Sequence, residues 1–373
     1  MTDSKPTWRA RLRRWRNAKI ADPAFQATSL KIPGVSSVAR RKADQLFELT
    51  AGFVYSQILF SCVELNLFAY LKDGPRSTDE LQRLTGLDHD PLTTLLNAAE
   101  NLELFTREDG TDWWLSDLGA VLAHEPGIEA MIRHHAMLYR DLADPISLLK
   151  NRGPDAEIAK FWAYPHARHD AIADDHAHSY SDLMAVSQAA VAGQVLSAYD
   201  FSAHKSLCDV GGGHGAFLSA VGKAHSKLSL NLFDLPQVAE QGANLMKANG
   251  FANRVTAHGG SFFEDQLPRD LDCYSLIRVL YDHDDHRVEM ILSAVHKAMP
   301  EGATLVVAEP MDGKGRSELL VGAYFALYLW AMGSGRCRST DRISELLTQN
   351  GFKNAVRRPT PQPLFASLVT ATR

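Results

Sequence analysis

Short apolar segments alternate with amphipathic stretches over residues 199–373. Segments such as Leu207–Val210 and Thr304–Glu309 are short and almost wholly apolar, and they predict buried strands. The stretches between these segments are long enough to form helices. Strands that alternate with helices are typical of an open α/β sheet with mostly parallel strands.

The end of the chain carries a different pattern. Two further apolar segments lie around Ala355 and over Leu364–Ala371, and PTPQP lies between them. A connection this short cannot hold a helical crossover, so we expect the two strands to pair antiparallel. The sequence therefore predicts a mostly parallel sheet that is closed by a terminal antiparallel hairpin.

Residues 43–125 predict helix, turn, helix and hairpin, in that order. Ser77 followed by Glu80 has the spacing of a capping box at a helix start, and Asp109–Gly110 predicts a hairpin turn. This order is that of a winged helix-turn-helix. A DNA-reading helix needs basic side chains, and residues 91–104 contain no Lys or Arg. We therefore expect dimer contacts from this region and no nucleic-acid partner.

Four regions are expected along the 373 residues. They are a basic amphipathic lead at 1–42, a winged-helix dimerisation domain at 43–125, a helical region rich in His and aromatic residues at 126–198, and the α/β domain at 199–373. Apolar residues make up 45% of the chain and charged residues 22%, so it contains enough apolar material to bury several cores.

Composition excludes several classes of protein. The four cysteines, Cys62, Cys208, Cys273 and Cys337, form no CxxC pair, which excludes a disulfide scaffold or zinc ribbon and fits a reducing compartment. The opening residues lack the apolar core of a secretory signal. Polar residues interrupt the most apolar stretch, Phe53–Leu71, so we expect no membrane span.

The charge is concentrated at the start of the chain. Residues 1–42 hold 11 Lys and Arg against two acids, a local charge of +9, whereas the rest of the chain carries −14. Trp8, Leu12 and Trp15 recur at helical spacing among arginines, a composition typical of an interfacial helix on an anionic membrane. The alternative is an arm that packs on a partner subunit or stays mobile.

The clearest chemical motif is SLCDVGGGHGAF. Gly211, Gly213 and Gly215 follow a predicted strand, and glycines in such a turn let the backbone approach a ligand closely. Asp234 ends the next strand, where a carboxylate suits a ribose diol. The pattern fits a nicotinamide dinucleotide, and with Asp209 before the glycines it also fits S-adenosylmethionine (SAM). The terminal antiparallel hairpin favours SAM, because a dinucleotide domain would continue with parallel strands.

The segments DVGGGHGAF, FDLPQV, GGSFFED, RVLYDHDD and LVVAEPM, in this order, resemble the plant-type class I O-methyltransferase family. This resemblance covers about residues 43–373. PAFQ, LFELTAGFVYSQIL and MIRHHAMLYRDLADP add a narrower resemblance to bacterial O-methyltransferases of acyclic carotenoid biosynthesis. It implies an N-terminal dimerisation domain, a C-terminal SAM-binding domain, a homodimer and a hydrophobic carotenoid substrate.

The resemblance also assigns residues to the cofactor. The assigned positions are the glycine loop with Asp209 before it, Asp234 for the ribose, Ser261 and Phe262 for the adenine, and Arg278 for the methionine carboxylate. Relatives usually have Asp where this chain has Ser261. A guanidinium at Arg278 can hold a carboxylate with two hydrogen bonds.

The position of the catalytic base departs from the family pattern. Most relatives have His where this chain has Tyr281, whereas the acid that supports that His is retained as Glu309. A second acid is replaced by Cys337. A tertiary aliphatic alcohol is too weak an acid for a His to ionise beforehand, so we expect Tyr281 to accept a hydrogen bond and orient the hydroxyl.

Three histidines are alternative bases. His283 lies just after Tyr281, and His134 and His135 are adjacent on one predicted helix, so we expect only one of these two to face the pocket. Each also fits an ordinary packed or exposed imidazole. No metal is expected, because the His-rich stretch around residues 166–178 contains no established ligand motif.

An apolar helix over Tyr324–Met332 is predicted to be buried on all sides. The resemblance implies that this helix lines the acceptor pocket. The residues expected there are Tyr324, Tyr328, Phe161, Trp162 and Met184. Core packing would produce the same composition, so the pattern supports a polyene tunnel only weakly.

The sequence thus predicts a homodimeric, metal-independent O-methyltransferase that uses SAM and yields S-adenosylhomocysteine. Its expected acceptor is the tertiary hydroxyl of an acyclic hydroxycarotenoid. The expected location is cytoplasmic, with peripheral contact at the inner photosynthetic membrane through residues 1–20. The alternatives are a C-methyltransferase of a bacteriochlorophyll-type macrocycle and a catalytically silent SAM-binding paralogue.

Overall fold

The computed structural model describes residues 7–29, 31–32, 34–108, 110–152, 155–163 and 187–373. Internal contacts divide the chain into two compact units, Met1–His124 and Glu125–Arg373. The units are described separately below.

The first unit is mostly helical. Its helices are α1 (Trp8–Ala21), α2 (Pro23–Ser29), α3 (Val35–Glu64), α4 (Leu67–Leu71), α5 (Thr78–Thr85), α6 (His89–Asn101) and α7 (Asp117–His124). The capping box predicted at the start of α5 is confirmed: Ser77 Oγ accepts from the Glu80 backbone, and the Glu80 carboxylate accepts from Ser77 N at 2.9 Å. Gly86 ends α5 in the left-handed conformation, with φ at +72°.

The predicted hairpin follows α6. Strands β1 (Phe105–Arg107) and β2 (Trp113–Leu115) pair antiparallel, and Gly110 lies between them with φ at +75°. Trp113 is buried, and its indole Nε1 donates to Thr78 Oγ1 at 3.0 Å. That bond ties the hairpin to the first turn of α5, so helix, helix and hairpin form one packed unit.

Helix α3 is long and strongly exposed. Leu46, Phe47, Leu49 and Phe53 all face solvent, and Leu49 is 82% exposed. Among the described residues α3 is also the one helix that by length and composition could cross a membrane. The prediction that no segment could span a membrane therefore fails on this test. An apolar helix that is covered by a partner chain would meet the same criteria of length and composition without crossing a membrane.

The second unit combines helices with a sheet. Its helices are α8 (Pro126–Asp141), α9 (Pro145–Asn151), α10 (Glu157–Ala163), α11 (described over 187–198), α12 (Ala216–Ala224), α13 (Pro236–Met246), α14 (Asp285–Ala298), α15 (Arg316–Ala331) and α16 (Thr340–Gln349). Its strands are β3 (Ser206–Val210), β4 (Ser229–Asp234), β5 (Val255–Gly259), β6 (Cys273–Ile277), β7 (Thr304–Glu309), β8 (Lys353–Arg358) and β9 (Ser367–Thr372).

The seven strands form one sheet in the order β5-β4-β3-β6-β7-β9-β8. Strands β3 to β7 are parallel, whereas β9 pairs antiparallel with both β7 and β8. The predicted α/β fold with a terminal antiparallel hairpin is therefore confirmed. Apolar clusters cover both faces of the sheet: one includes α14 and α16, and the other includes α11 and α12.

Parallel strands place their carboxyl ends at one edge of the sheet, where open α/β sheets bind ligands. The glycine loop follows β3, Asp234 ends β4, and Arg278 follows β6. The fold thus brings three sequence-predicted features to the same edge. All four cysteines are free, as expected.

Candidate active site

The glycine loop after β3 combines tight packing with one open position. Gly211, Gly213 and Gly215 all have positive φ, at +74°, +56° and +77°. A Cβ on Gly211 would lie 2.9 Å from Val279, and one on Gly215 would lie 2.5 Å from the Met246 sulfur. A Cβ on Gly213 would meet no atom within 4 Å. The loop is therefore packed against the protein at its two ends and open at its centre, as close approach by a ligand requires.

Asp234 holds this loop from the neighbouring strand. Its Oδ2 accepts from Gly213 N at 2.8 Å, and its Oδ1 accepts from Leu235 N at 2.7 Å. A carboxylate oxygen can accept a second hydrogen bond, so these contacts are compatible with a ribose diol at the same carboxylate. Asp234 therefore positions the loop and also stands where the sequence expected a ribose ligand.

Asp209 lies beneath the loop. It is buried, and its Oδ1 accepts from the Ser275 hydroxyl at 2.6 Å. Burial raises the pKa of this carboxyl to about 7, and the charge of Asp234 adds to the effect. The structure therefore places Asp209 as a buried support of the loop, packed against Gly212.

The predicted adenine stretch follows β5. Ser261 Oγ accepts from Phe263 N at 3.2 Å, and Ser261 N donates to Asp265 at 2.8 Å, so this serine caps its own turn. The Phe262 ring packs edge-on against His283 at 5.8 Å and lies beside Gly211. Phe262 and His283 are thus close to the glycine loop, where an adenine would find an aromatic surface.

Arg278 follows β6 and carries a partly buried positive charge. Its φ is +57°, which is uncommon for a residue with a side chain. Its Nη2 and Nε donate to the Tyr281 hydroxyl at 3.0 Å and 3.3 Å, and its Nη1 donates to Ser187 Oγ at 2.9 Å. Both of these partners are neutral. Among the described residues no carboxylate is hydrogen-bonded to this guanidinium, although Asp282 interacts with its charge.

Tyr281, the residue expected at the position of the base, lies in a short 3₁₀ turn, Leu280–Asp282. The side chain is buried, and burial raises its pKa above the ordinary value even though Arg278 acts in the opposite direction. The phenol is therefore neutral at physiological pH. A neutral buried phenol cannot replace a His as a general base.

Glu309 contacts the backbone of this turn. Its Oε2 accepts from Tyr281 N at 3.0 Å. The carboxyl group is fully buried, and burial raises its pKa to about 8. Glu309 Oε1 has no hydrogen-bond partner among the described residues. The retained acid is therefore protonated at neutral pH and holds the turn by a backbone contact.

Sequence reasoning missed Arg338. This buried arginine donates to Leu280 O at 2.9 Å and to His283 O at 2.8 Å, and it pairs with Asp285 at 2.7 Å. It thus fixes the far side of the turn that carries Tyr281. No motif marks the residue, because its partners lie more than fifty positions earlier in the chain.

His134 and His135 both reach α15. His134 Nε2 lies 2.7 Å from the Tyr328 hydroxyl, and His135 Nε2 lies 2.6 Å from the Tyr324 hydroxyl. The expectation that only one of the two histidines would face the helix of the acceptor pocket is wrong. Tyr324 and Tyr328 lie one helical turn apart on α15, and each contacts one of the two adjacent histidines on α8.

Burial makes His134 a neutral imidazole. It lowers the pKa of His134 to about 4, and the neighbouring His135 adds to the effect. Trp162 Nε1 can only donate, and it donates to the Tyr328 oxygen at 2.8 Å. His134 Nε2 is hydrogen-bonded to the same hydroxyl, in a direction set by the imidazole tautomer. Tyr328 therefore ties Trp162 and a neutral His134 together.

Aromatic rings continue from this pair to Tyr281. Phe161 packs on His134 at 4.6 Å, Phe325 packs edge-on against Tyr328 at 5.8 Å, and Phe325 also meets Tyr281 at 5.9 Å. Three of the five predicted pocket residues, Trp162, Tyr324 and Tyr328, belong to one apolar cluster, and a fourth, Phe161, packs edge-on against Trp162 at 5.5 Å. The fifth, Met184, and the His-rich stretch at 166–178 lie outside the described residues. Among the described residues no group of three His, Cys, Asp or Glu could hold a metal ion.

Comparison with known families and proteins agrees with this geometry. Residues 139–353 match the model of the O-methyltransferase domain, and residues 47–124 match the O-methyltransferase dimerisation domain. The chain therefore belongs to the O-methyltransferase family, whose members take a methyl group from SAM. The dimerisation match includes the second half of α3.

Individual relatives are similar over nearly the whole chain. A demethylspheroidene O-methyltransferase of Cereibacter sphaeroides is 42% identical, covering 94% of this chain and 92% of the relative. One of Rhodobacter capsulatus is 40% identical, covering 92% and 85%. Among solved structures, the mitomycin 7-O-methyltransferase MmcR superposes with a TM-score of 0.72 at 27% identity, covering 90% of this chain and 99% of that one.

The residues present fit SAM on structural grounds. The centre of the glycine loop is open at Gly213, a carboxylate stands at the end of β4, and the partly buried guanidinium of Arg278 donates to two neutral side chains. These features match a nucleoside, its ribose diol and an amino-acid carboxylate. When bound, SAM supplies an electrophilic methyl group on a sulfonium.

Proposed function

We propose that this enzyme methylates the tertiary hydroxyl of an acyclic hydroxycarotenoid of the demethylspheroidene or hydroxyneurosporene type. The two relatives with that printed activity are 42% and 40% identical over most of this chain. The observation that carries the proposal from the structure is Tyr281 at the family's base position, neutral and bound to Arg278.

Tyr281 decides between two kinds of acceptor. A phenol or catechol reacts best when a base removes its proton, and relatives use His for this step. A tertiary alcohol cannot be ionised by an imidazole and loses its proton only as the new O–C bond forms. A site with a neutral phenol in place of the base therefore suits an aliphatic alcohol. With such an acceptor, alignment of the hydroxyl with the methyl group provides much of the reduction of the activation barrier, up to roughly 7–11 kcal/mol in favourable cases.

For the cofactor we propose the following assignment. Gly211, Gly213 and Gly215 approach the nucleoside, Asp234 holds the ribose hydroxyls, and Phe262 packs against the adenine. Arg278 pairs with the methionine carboxylate, because a guanidinium can hold a carboxylate with charge-assisted hydrogen bonds. Asp209 and Ser261 act through the loops that they brace.

For the acceptor we propose the aromatic cluster around α15. Tyr324, Tyr328, Phe161 and Trp162 provide an apolar wall with few exposed polar atoms, which is what a polyene requires. The hydroxyls in this wall are already hydrogen-bonded to His134, His135 and Trp162. The wall can therefore contact hydrocarbon without leaving polar groups unsatisfied.

We also propose that the enzyme is a cytoplasmic homodimer that works peripherally at the inner photosynthetic membrane. The dimerisation domain supports the homodimer. The membrane location follows from the proposed substrate, because an acyclic carotenoid partitions into lipid.

The purified protein incubated with isotope-labelled SAM and separate acceptors tests the proposal. We expect label in the methoxy group of a hydroxylated acyclic carotenoid, and none with simple phenols or bacteriochlorophyll precursors. The Asp234→Ala variant, matched by the exposed-acid control Glu240→Ala, reports whether the labelling depends on the cofactor site. Label in a phenol or macrocycle but in no carotenoid would refute the substrate. SAM binding without turnover on any acceptor would refute the activity.

A further inference from the structure

The lead that precedes the dimerisation domain forms a helix with no buried residue. Every residue of α1 is exposed, and Trp8, Leu12 and Trp15 are exposed by 65%, 53% and 61%. Thr7 caps the helix start through its hydroxyl, so α1 is a defined helix although it packs little against the rest of the chain. Large exposed aromatic side chains on a free helix indicate a surface made to meet a partner.

The three apolar side chains lie on one face. At 100° per residue, Trp8, Leu12 and Trp15 fall within about 60° of one another. Arg11 and Arg16 flank this face, and long arginine side chains can keep their charge in water while their stems lie along an apolar phase. Over residues 8–16 the helix therefore offers an apolar ridge with cations on both sides, and Lys19 follows on the same face one turn after Trp15.

The charge on α1 is of one sign. The helix carries Arg9, Arg11, Arg13, Arg14, Arg16 and Lys19, and it contains no acid. An apolar ridge with tryptophans and surrounding cations complements the boundary between anionic headgroups and acyl chains. We infer that α1 docks on an anionic membrane surface, with Trp8, Leu12 and Trp15 inserted into the headgroup boundary.

Two other occupants fit less well. Nucleic acid would meet a chain whose residues 43–373 carry −14, and Leu12 offers no ring for base stacking. A second copy would offer an acidic surface, but contact with it would not require two tryptophans beside a leucine on one ridge. The family's dimerisation match begins at residue 47, after the lead. The inference deepens the proposed function by naming the surface at which the enzyme works.

Vesicle co-sedimentation of the full-length protein tests the docking without using any carotenoid. We expect binding to vesicles of phosphatidylcholine with phosphatidylglycerol, little binding to phosphatidylcholine alone, and release by high salt. Trp8→Ser with Trp15→Ser, and separately Arg11→Gln with Arg14→Gln, should each weaken binding by roughly tenfold or more. Lys223→Gln with Lys227→Gln removes two exposed cations elsewhere and should leave binding unchanged.

Three results would overturn the inference. The first is equal binding to neutral and anionic vesicles, and the second is unchanged vesicle binding by both α1 variants. The third is a shift from dimer to monomer when the α1 variants are examined by sedimentation velocity, because that shift would assign the helix to contact with a second copy. Calorimetric SAM affinity should be the same in all variants. Vesicle docking without carotenoid methylation would refute the proposed substrate alone, whereas methylation without docking would refute this inference alone.

Discussion

Arg278 donates two hydrogen bonds to the phenol oxygen of Tyr281, from Nη2 at 3.0 Å and from Nε at 3.3 Å. The phenol oxygen is thus an acceptor toward Arg278, and its own hydrogen is directed to no described residue. This geometry favours donation to the substrate oxygen over the acceptance expected from the sequence. A donor at this position can fix one lone pair of an alcohol and so orient another lone pair toward the methyl group.

The first prediction is that Tyr281→Phe lowers kcat by only about 10- to 100-fold. A positioning hydrogen bond contributes roughly 1–3 kcal/mol, which corresponds to that range. Burial raises the pKa of Tyr281, so the wild-type pH–rate profile should show no limb that the variant lacks. A loss beyond about 10⁴-fold would contradict positioning, because general acid–base catalysis usually accounts for no more than that.

The second prediction is that Tyr281→His changes acceptor preference without improving the carotenoid reaction. Glu309 Oε2 holds the backbone N of residue 281, and Arg278 contacts the side chain at this position, so burial and the nearby cation should keep the introduced imidazole neutral and able to accept a proton. We expect weak activity on a phenol, whose proton a His can accept, and no gain on the tertiary alcohol. Comparison of kcat/KM for the two acceptors measures the switch, and a faster alcohol reaction would show that a base limits it.

Several elements could be predicted from sequence almost to the residue. Val255–Gly259 and Thr304–Glu309 match the observed β5 and β7. For β7 the reason is an apolar run with polar limits, which leaves little choice of strand ends. The Ser77–Glu80 capping box is equally local. The antiparallel pairing of β8 with β9 follows from the short PTPQP connection, which is too short for a helical crossover.

Features that depend on packing between distant segments could not be predicted. The pairing of His134 with Tyr328 depends on how α8 meets α15, and periodicity within one helix does not fix that register. Arg338 is buried because three acceptors from residues 280–285 surround it. Glu309 was recognised as an acid, but its neutral state follows only from complete burial.

The third prediction concerns Asp234. Its carboxylate holds Gly213 N and Leu235 N, and we assign its remaining hydrogen-bonding capacity to the ribose. Asp234→Ala should weaken SAM binding by at least about tenfold, because charge-assisted hydrogen bonds contribute roughly 1.5–3 kcal/mol each. Calorimetry with the exposed-acid control Glu240→Ala checks this. Equal affinity in both variants would remove Asp234 from the cofactor site.

The fourth prediction compares two tyrosines on α15. Tyr328→Phe should lower the free energy of unfolding by roughly 1–3 kcal/mol, because Trp162 Nε1 and the buried His134 Nε2 would both lose their partner. Tyr324→Phe is the matched control. His135 is less buried than His134, so water can replace the lost hydroxyl and the cost should be smaller. Chemical denaturation measures both, and an equal loss would show that burial of the histidine does not set the cost.

The last prediction is a pH dependence that arises from Glu309. Burial raises its pKa in the folded protein to about 8, whereas in the unfolded chain the pKa lies near the ordinary value of 4.5. Between these values the folded state keeps a proton that the unfolded state releases, so stability falls as pH rises through this window. The slope from this residue is about 1.4 kcal/mol per pH unit.

Glu309→Gln isolates this contribution, because its amide oxygen can still accept from Tyr281 N and the side chain cannot ionise. Asp209 and Asp282 have pKa values raised to about 7 and act in the same direction, but they are common to both proteins. The free energy of unfolding of the variant, relative to wild type, should therefore rise steadily from about pH 5 to about pH 8. If the free energies of unfolding of the variant and of wild type change with pH in parallel, Glu309 is ionised in the folded protein. The carboxylate that holds the turn at Tyr281 would then need a charged partner.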